Sequence, residues 1–169
     1  SWTAEDFDTT GPWWDAASTG LPGSGTYSGV TFGDLDGDGL LDIVAGSQGL
    51  GLGAWQGNGG GSWSSVTSPN DTGTWLAVAV GDVNRDGRPD IVAAEESKGV
   101  NVWAGDRAFG WTALAQPTDS GTYADVALGD LNNDGWLDMV AGRADDGGLQ
   151  VWAGDGGASW TPFSTDLPT

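Results

Sequence analysis

The sequence predicts an all-β protein, and two observations support this prediction. Thirty-one glycines and a single lysine in 169 residues disfavour long helices, and no window places apolar residues at the 3.6-residue spacing of a helix. The chain also repeats every 48 residues, and each repeat contains four short apolar segments separated by turns rich in glycine and asparagine. Four short strands in fewer than about 50 residues, repeated along a chain, are typical of the blades of a β-propeller.

The repeat divides the chain into three complete units, residues 27–74, 75–122 and 123–169. The first segment of a unit reads YSGVTFGD, WLAVAVGD or YADVALGD, and the second reads LDIVAG, PDIVAA or LDMVAG. Because these segments are apolar or small on both faces, we predict four-stranded antiparallel blades packed between neighbouring blades. A β-sandwich, the alternative, does not explain a period of 48. Residues 1–26 resemble the end of a unit, which predicts a partial blade with a spare fourth strand within residues 8–18.

The composition excludes several functions. The net charge of −19, from 24 acidic and 5 basic residues, argues against binding to nucleic acid or to anionic membranes, since both need basic patches. The chain has no cysteine and no histidine, which removes disulfides, Ser–His–Asp triads and most zinc sites. No apolar run reaches the roughly 18 residues of a membrane span. No signal peptide is recognisable, and we expect Ser1 to follow the removed leader of a secreted protein.

An acidic loop occurs at the same place in each unit: GDLDGDGLLD (33–42), GDVNRDGRPD (81–90) and GDLNNDGWLD (129–138). Counted from its first aspartate, each loop has side-chain oxygens at positions 1, 3, 5 and 9 and a glycine at position 6. The glycine permits a sharp turn that brings these oxygens, and the backbone carbonyl of position 7, around one hard cation. We therefore predict three Ca²⁺ ions per chain, one in each loop.

The predicted metal ligands form three equivalent sets. They are Asp34, Asp36, Asp38, Leu40 and Asp42 in the first loop, Asp82, Asn84, Asp86, Arg88 and Asp90 in the second, and Asp130, Asn132, Asp134, Trp136 and Asp138 in the third. A helical EF-hand shares the opening of the motif but needs glutamate at position 12, where this chain has alanine each time. A metal-free turn held by its own aspartate and asparagine side chains is the alternative. Such a turn does not require the ninth carboxylate that all three loops contain.

The pattern GD-[LV]-[DN]-x-DG-x-x-D, followed by an apolar strand, resembles the FG-GAP and VCBS repeats of calcium-binding β-propellers, as in integrin heads and many bacterial secreted proteins. The resemblance covers residues 27–169 and implies that the calcium loop joins the first and second strands of each blade. The added VW-x-GD and SW phrases resemble a narrower group, the seven-bladed fungal and bacterial propeller lectins, which suggests N-acetylglucosamine or related amino sugars as ligands. With three blades the chain departs from both groups, because propellers close with about four to eight.

Repeated aromatic residues are the candidates for glycan binding. Tyr27, Trp75 and Tyr123 open the first strand of each unit, at the rim opposite the calcium loops, and are expected to be exposed beside polar loops and to stack on sugar rings. Reserve candidates on the third strand are Trp55, Trp103 and Trp152. Packing between blades is the alternative interpretation, and it is favoured for the third-strand tryptophans.

These expectations combine into one functional prediction. We expect a secreted, calcium-stabilised, carbohydrate-binding propeller whose chains associate, most simply as dimers, to complete the ring. A fragment of a longer array is the competing explanation for the three blades. An extracellular adhesion or protein-interaction module without sugar binding is the alternative. Catalysis is not expected, since no acid/base constellation is recognisable, although the adjacent Glu95 and Glu96 leave a carboxylate pair to consider.

Overall fold

A computed structural model describes residues 18–163 of the chain. The described residues contain twelve strands and no helix, and therefore no helix long and apolar enough to cross a membrane. The strands are β1 (Tyr27–Gly33), β2 (Asp42–Ser47), β3 (Leu52–Gly57), β4 (Trp63–Val66), β5 (Trp75–Gly81), β6 (Asp90–Glu95), β7 (Gly99–Gly105), β8 (Trp111–Ala113), β9 (Tyr123–Gly129), β10 (Asp138–Arg143), β11 (Leu149–Gly154) and β12 (Trp160–Pro162).

The strands form three four-stranded antiparallel sheets, each in chain order: β1–β2–β3–β4, β5–β6–β7–β8 and β9–β10–β11–β12. We call these sheets blade 1, blade 2 and blade 3. The all-β fold and the three repeated blades predicted from the sequence are therefore confirmed. The first strands of successive blades lie side by side, β1 next to β5 and β5 next to β9. This is the arrangement of an incomplete propeller. The spare strand predicted before residue 18 lies outside the described residues.

Two apolar clusters hold the blades together. One joins blades 1 and 2 and includes Leu35, Val44, Trp75, Ile91 and Trp103. The other joins blades 2 and 3 in the same way. Each cluster combines side chains of two successive sheets, so a blade buries its faces against its neighbours and not within itself.

Close packing between blades depends on small residues in the first strands. A Cβ atom added at Gly29 of β1 would lie 2.8 Å from the Cα atom of Ala77 in β5. No larger residue fits at Gly29 without moving one blade away from the other. The glycine content of the repeat therefore serves sheet-to-sheet contact as well as turns.

A register irregularity occurs at the start of the first strand in all three blades. The pairing shifts between Tyr27 and Gly29, and between Trp75 and Ala77. In blade 3 the shift falls opposite Gly142 and Arg143. One extra residue at such a bulge turns the preceding side chain to the other face of the sheet. In blades 2 and 3 the aromatic residue that opens the first strand consequently points toward the preceding blade.

Candidate metal centre

The three acidic loops lie on one rim of the assembly, where each connects the first strand of a blade to the second. The turn between the third and fourth strands reaches the same rim. Gln56, at the end of β3, donates from Nε2 to Asp36 Oδ2 at 2.6 Å, and Arg107, beyond β7, donates to the carbonyl of Gly87. The antiparallel order of each blade therefore determines which loops surround the candidate site.

The backbone makes the same turn in all three loops. The glycine at position 6 has a positive φ each time, 85° at Gly39, 79° at Gly87 and 86° at Gly135. Position 4 is also left-handed, and here only the first loop uses glycine. Arg85 and Asn133 adopt φ values of 58° and 61°. The sequence predicted the left-handed backbone at position 6, where every loop has glycine. It did not predict the left-handed backbone at position 4, because the residue type at position 4 varies.

Side-chain oxygens at positions 1, 3 and 5 hold this turn by accepting backbone N–H groups. In the second loop Asp82 Oδ2 accepts from the N–H of Gly87 at 2.9 Å, and Asn84 Oδ1 accepts from that of Asp86 at 2.9 Å. Asp86 Oδ1 accepts from the N–H of Arg88 at 2.9 Å. The first and third loops repeat these three contacts. The oxygens of alternate residues are thus directed inward along one short stretch of chain.

The aspartate at position 9 has a different environment, since it is completely buried in every blade. Asp90 Oδ2 accepts from the N–H of Val83 at 2.9 Å, and its Oδ1 accepts from the N–H of Gly105 at 3.1 Å. Asp42 and Asp138 make the equivalent pairs of contacts. This carboxylate therefore joins the loop to the end of the third strand. Burial raises the pKa of Asp90 to about 6 and also raises the pKa of Asp42.

The donor set suits a hard divalent cation. In the first loop Asp34, Asp36 and Asp42 each have a carboxylate oxygen within 4.8 Å of the others. Among the described residues this is the one such group of three acidic side chains, because the second and third loops have Asn84 and Asn132 at position 3. A carboxylate has about four lone-pair sites, so an oxygen that accepts one N–H can still bind a cation. Carboxylate, amide and carbonyl oxygens are the ligands that Ca²⁺ prefers.

The remaining predicted ligands lie within the same loops. Asp38, Asp86 and Asp134 at position 5 are exposed, and Asp38 is not part of the close carboxylate group. The residues whose carbonyls were predicted as ligands, namely Leu40, Arg88 and Trp136, each donate their N–H to the position-5 side chain. Gln56 was missed by the sequence prediction. The signal that could have found it is that Gln56 is polar, whereas the equivalent residues of the other two blades, Ala104 and Ala153, are apolar.

The aromatic residues expected to bind sugar are placed differently from the prediction. Trp75 and Tyr123 are 0% and 1% exposed, so the expectation that they lie open at the rim is wrong. The bulge turns them onto the third-strand tryptophans. Trp75 packs edge-on against Trp103 with ring centroids 5.4 Å apart, and Tyr123 packs against Trp152 at 6.0 Å. Both pairs belong to the clusters between blades. Their rings are therefore unavailable for stacking on a sugar.

Blade 1 contains the third pair of this kind, and its environment is more open. Tyr27 packs edge-on against Trp55, with ring centroids 6.2 Å apart. Trp55 is buried, whereas Tyr27 is 37% exposed because no preceding blade covers it within the described residues. Of the six aromatic candidates, only Tyr27 keeps a substantial exposed surface.

The rim opposite the acidic loops is built from interlocked polar loops. The N–H of Gly49 donates to the carbonyl of Gly73 at 3.1 Å, and the N–H of Gly99 donates to that of Gly121 at 3.0 Å. In blades 1 and 2 the loop between the second and third strands is thereby tied to the loop that leads into the next blade. In blade 2 the buried Glu95 pairs at 2.5 Å with Lys98, whose side chain is exposed, and in blade 3 Arg143 pairs with Asp145. These loops differ in sequence from blade to blade while their backbone contacts repeat.

The fold and its acidic loops define a propeller-like repeat protein. A family model described as FG-GAP-like repeat matches residues 6–45, 43–93 and 82–141. The matches extend over more than half of the chain, which therefore belongs to the FG-GAP-like repeat family. A comparison with curated proteins gives no match.

Proposed function

We propose that this chain is a non-catalytic, calcium-binding propeller module that acts outside the cell. The observation that supports the proposal is the threefold recurrence of one loop, with the same oxygen positions, the same left-handed positions and the same buried ninth aspartate. A self-stabilised turn accounts for any single loop. It does not account for acidic residues at positions 1, 5 and 9 in all three, because their charges repel one another in the absence of a cation.

Bound calcium would act on stability. The residues at positions 1, 3, 5 and 9 and the carbonyl of position 7 would hold the ion, and three ions would offset six of the nineteen net negative charges. A ligand that binds only the folded state stabilises that state according to its concentration. Affinities in the range of extracellular modules, roughly 0.1–1 mM, would restrict occupancy to calcium-rich surroundings.

The test is calcium titration by calorimetry, combined with melting curves in calcium and in excess chelator. We expect three ions per chain and a lower melting temperature in chelator. Asp86→Ala should remove one ion, because it removes the carboxylate at position 5 of the second loop. The fold should tolerate this change, since Asp86 is exposed and accepts only from the Arg88 N–H and, at 3.4 Å, from Asn84 Nδ2. Asp119→Ala, which removes an exposed carboxylate on the opposite rim, is the matched control and should leave the stoichiometry at three. Identical melting curves with and without chelator would refute the stabilising role.

Partner recognition is the second part of the proposal, and we place it on the rim opposite the acidic loops. Variable side chains there, such as Gln48, Glu96 and Asp146, stand on loops whose backbones are held by repeated hydrogen bonds. Binding residues are commonly found on such loops over a rigid scaffold. Five of the six aromatic candidates for sugar stacking are buried, so the geometry favours a protein-interaction module over a lectin.

Glycan binding keeps one point of support, the exposed ring of Tyr27. The groove beside it is lined by Leu21, Pro22, Val30 and other apolar side chains. A sugar site usually needs polar groups that bind hydroxyls, and few are present here. A glycan array followed by titration of Tyr27→Phe and Tyr27→Ala separates the possibilities. A glycan whose binding is lost in Tyr27→Ala and kept in Tyr27→Phe would support a lectin, and an array without any hit would exclude this site.

A further inference from the structure

The array of three blades has two outer faces, one on blade 1 and one on blade 3. Each is equivalent to a face that packs against a neighbouring blade inside the array. The head face is the side of blade 1 that points away from blade 2, and its residues are Tyr27, Val30, Ile43, Ala45 and Trp55, which line one groove. The tail face is the side of blade 3 that points away from blade 2. Its residues are the equivalents of the blade 2 residues that pack against blade 3, namely Asp125, Leu131, Val140, Leu149 and Val151.

The head face has the composition of a blade junction. In blade 2 the equivalent residues are all buried against blade 1; they are Trp75, Val78, Ile91, Ala93 and Trp103. In blade 3 the equivalent residues are all buried against blade 2; they are Tyr123, Val126, Met139, Ala141 and Trp152. In blade 1 Val30 is 71% exposed, whereas its equivalents Val78 and Val126 are 8% and 6% exposed. The apolar surface that forms two junctions is thus open at the head around Val30 and Tyr27, whereas Ala45 and Trp55 are already buried in the single chain.

The tail face likewise exposes apolar side chains whose equivalents are buried in the other two blades. Leu131 and Leu149 are 53% and 60% exposed in blade 3. Their equivalents are buried in both other blades, where Leu35 and Leu52 are each 2% exposed. Val83 and Val100 of blade 2 are 2% and 0% exposed. An exposed apolar surface of this kind usually marks an interaction site.

We propose that the head face of one chain binds the tail face of a second copy, in the same geometry as the junctions between blades 1 and 2 and between blades 2 and 3. The two internal junctions support this choice of occupant, because they show what covers each face whenever it is covered. A head-to-tail contact repeats until the rotation closes. Two copies supply six blades, within the range of about four to eight in which propellers close. The dimer therefore has two identical junctions.

One residue of the tail face departs from the internal pattern. Asp125 occupies the position of Gly29 in blade 1 and Ala77 in blade 2. The corresponding Ala77 is 3% exposed at the internal junction, so docking would remove the Asp125 carboxylate from water. Because the equivalent Gly29 lies so close to the next blade, the Asp125 side chain would also hold the two docked blades slightly further apart. Asp125→Ala should therefore tighten the dimer. A cationic partner protein would show the opposite change, because it would lose an attractive charge.

Sedimentation of matched variants tests the proposal. Val30→Asp spoils the head and Leu149→Asp spoils the tail, and both side chains are exposed in the single chain, so the fold should tolerate them. Each variant alone should be monomeric, while wild type and the control Ala115→Asp, at an exposed position after β8 in the middle blade, should be dimeric. An equimolar mixture of Val30→Asp and Leu149→Asp should form a heterodimer through its one intact junction. Circular dichroism confirms that each variant remains folded.

Three outcomes would overturn the proposal. A monomeric wild-type chain would mean that neither face binds a copy. A Val30→Asp variant that stays dimeric would mean that the chains pair tail to tail, and a dimeric Leu149→Asp would mean head to head. Added salt provides an independent check. Because each copy has a net charge of −19, screening should strengthen a junction made by apolar faces.

Discussion

The guanidinium carbon of Arg85, in the second acidic loop, lies 4.3 Å from the ring centroid of Trp136 in the third. Arg85 occupies position 4, between the predicted ligands Asn84 and Asp86, and Trp136 supplies the predicted carbonyl ligand of position 7. A cation over the face of an indole ring is an attractive arrangement. The contact therefore links two neighbouring loops that do not otherwise share a ligand set.

Arg85→Ala should destabilise the protein by about 0.5–1 kcal/mol, the value of an exposed cation–π contact. Arg85→Gly removes the same contact but relieves the left-handed backbone, for which φ is 58°. We therefore expect Arg85→Gly to be more stable than Arg85→Ala in urea unfolding. If alanine and glycine gave the same loss, backbone strain at position 4 would be negligible.

The ninth aspartate should be structural even without metal. Asp90→Ala leaves the buried N–H groups of Val83 and Gly105 without acceptors, at a cost of about 1–3 kcal/mol each. Asp86→Ala removes the acceptor of the Arg88 N–H and of Asn84 Nδ2, but both contacts are exposed and water can replace them, so the loss of stability in chelator should be much smaller. Urea unfolding in excess chelator compares the two variants. Equal losses would show that Asp90 acts only through the ion.

The sequence predicted the blades well because the relevant signals are local and repeated. Each strand lies between glycine-rich turns, and the 48-residue period aligns weak signals from three units. The acidic loops were predicted for the same reason. The exposure of Trp75 and Tyr123 was predicted wrongly, because it was inferred from their place at the rim beside polar loops. Both rings instead turn inward onto Trp103 and Trp152 in the clusters between blades, and the sequence of a strand end contains no sign of that direction.

Side-chain contacts between distant segments of the chain could not be predicted from the sequence either. Gln56 reaches Asp36 across twenty residues, and Arg85 reaches Trp136 across neighbouring blades. Both contacts depend on how a blade curls and on how two blades pack. A repeat predicts equivalent positions in each unit, but these contacts occur where the units differ.

Acid should weaken one contact on the opposite rim. The side chain of Arg143 donates two hydrogen bonds to Asp145, and these lower the pKa of that carboxyl to about 2. The folded-state value lies below the unfolded one, so the contribution to stability is present above about pH 4 and is lost as the pH falls toward 2. Asp145 is exposed and Arg143 is partly exposed, so the effect should be small. Asp145→Asn should therefore show a shallower loss of stability between pH 4 and pH 2 than wild type.

The head and tail of the array predict unequal effects of the same substitution at equivalent sites. Tyr123 is 1% exposed, beneath the guanidinium of Arg143, and Tyr27 is 37% exposed. Truncating a buried aromatic side chain costs about 3–5 kcal/mol, because it removes apolar contacts and leaves a cavity. We expect a loss of this size for Tyr123→Ala and a clearly smaller one for Tyr27→Ala, measured by urea unfolding. Both substitutions belong in the Val30→Asp background, so that association between chains does not contribute to the difference. Equal losses in that background would mean that something already covers the head face of the single chain.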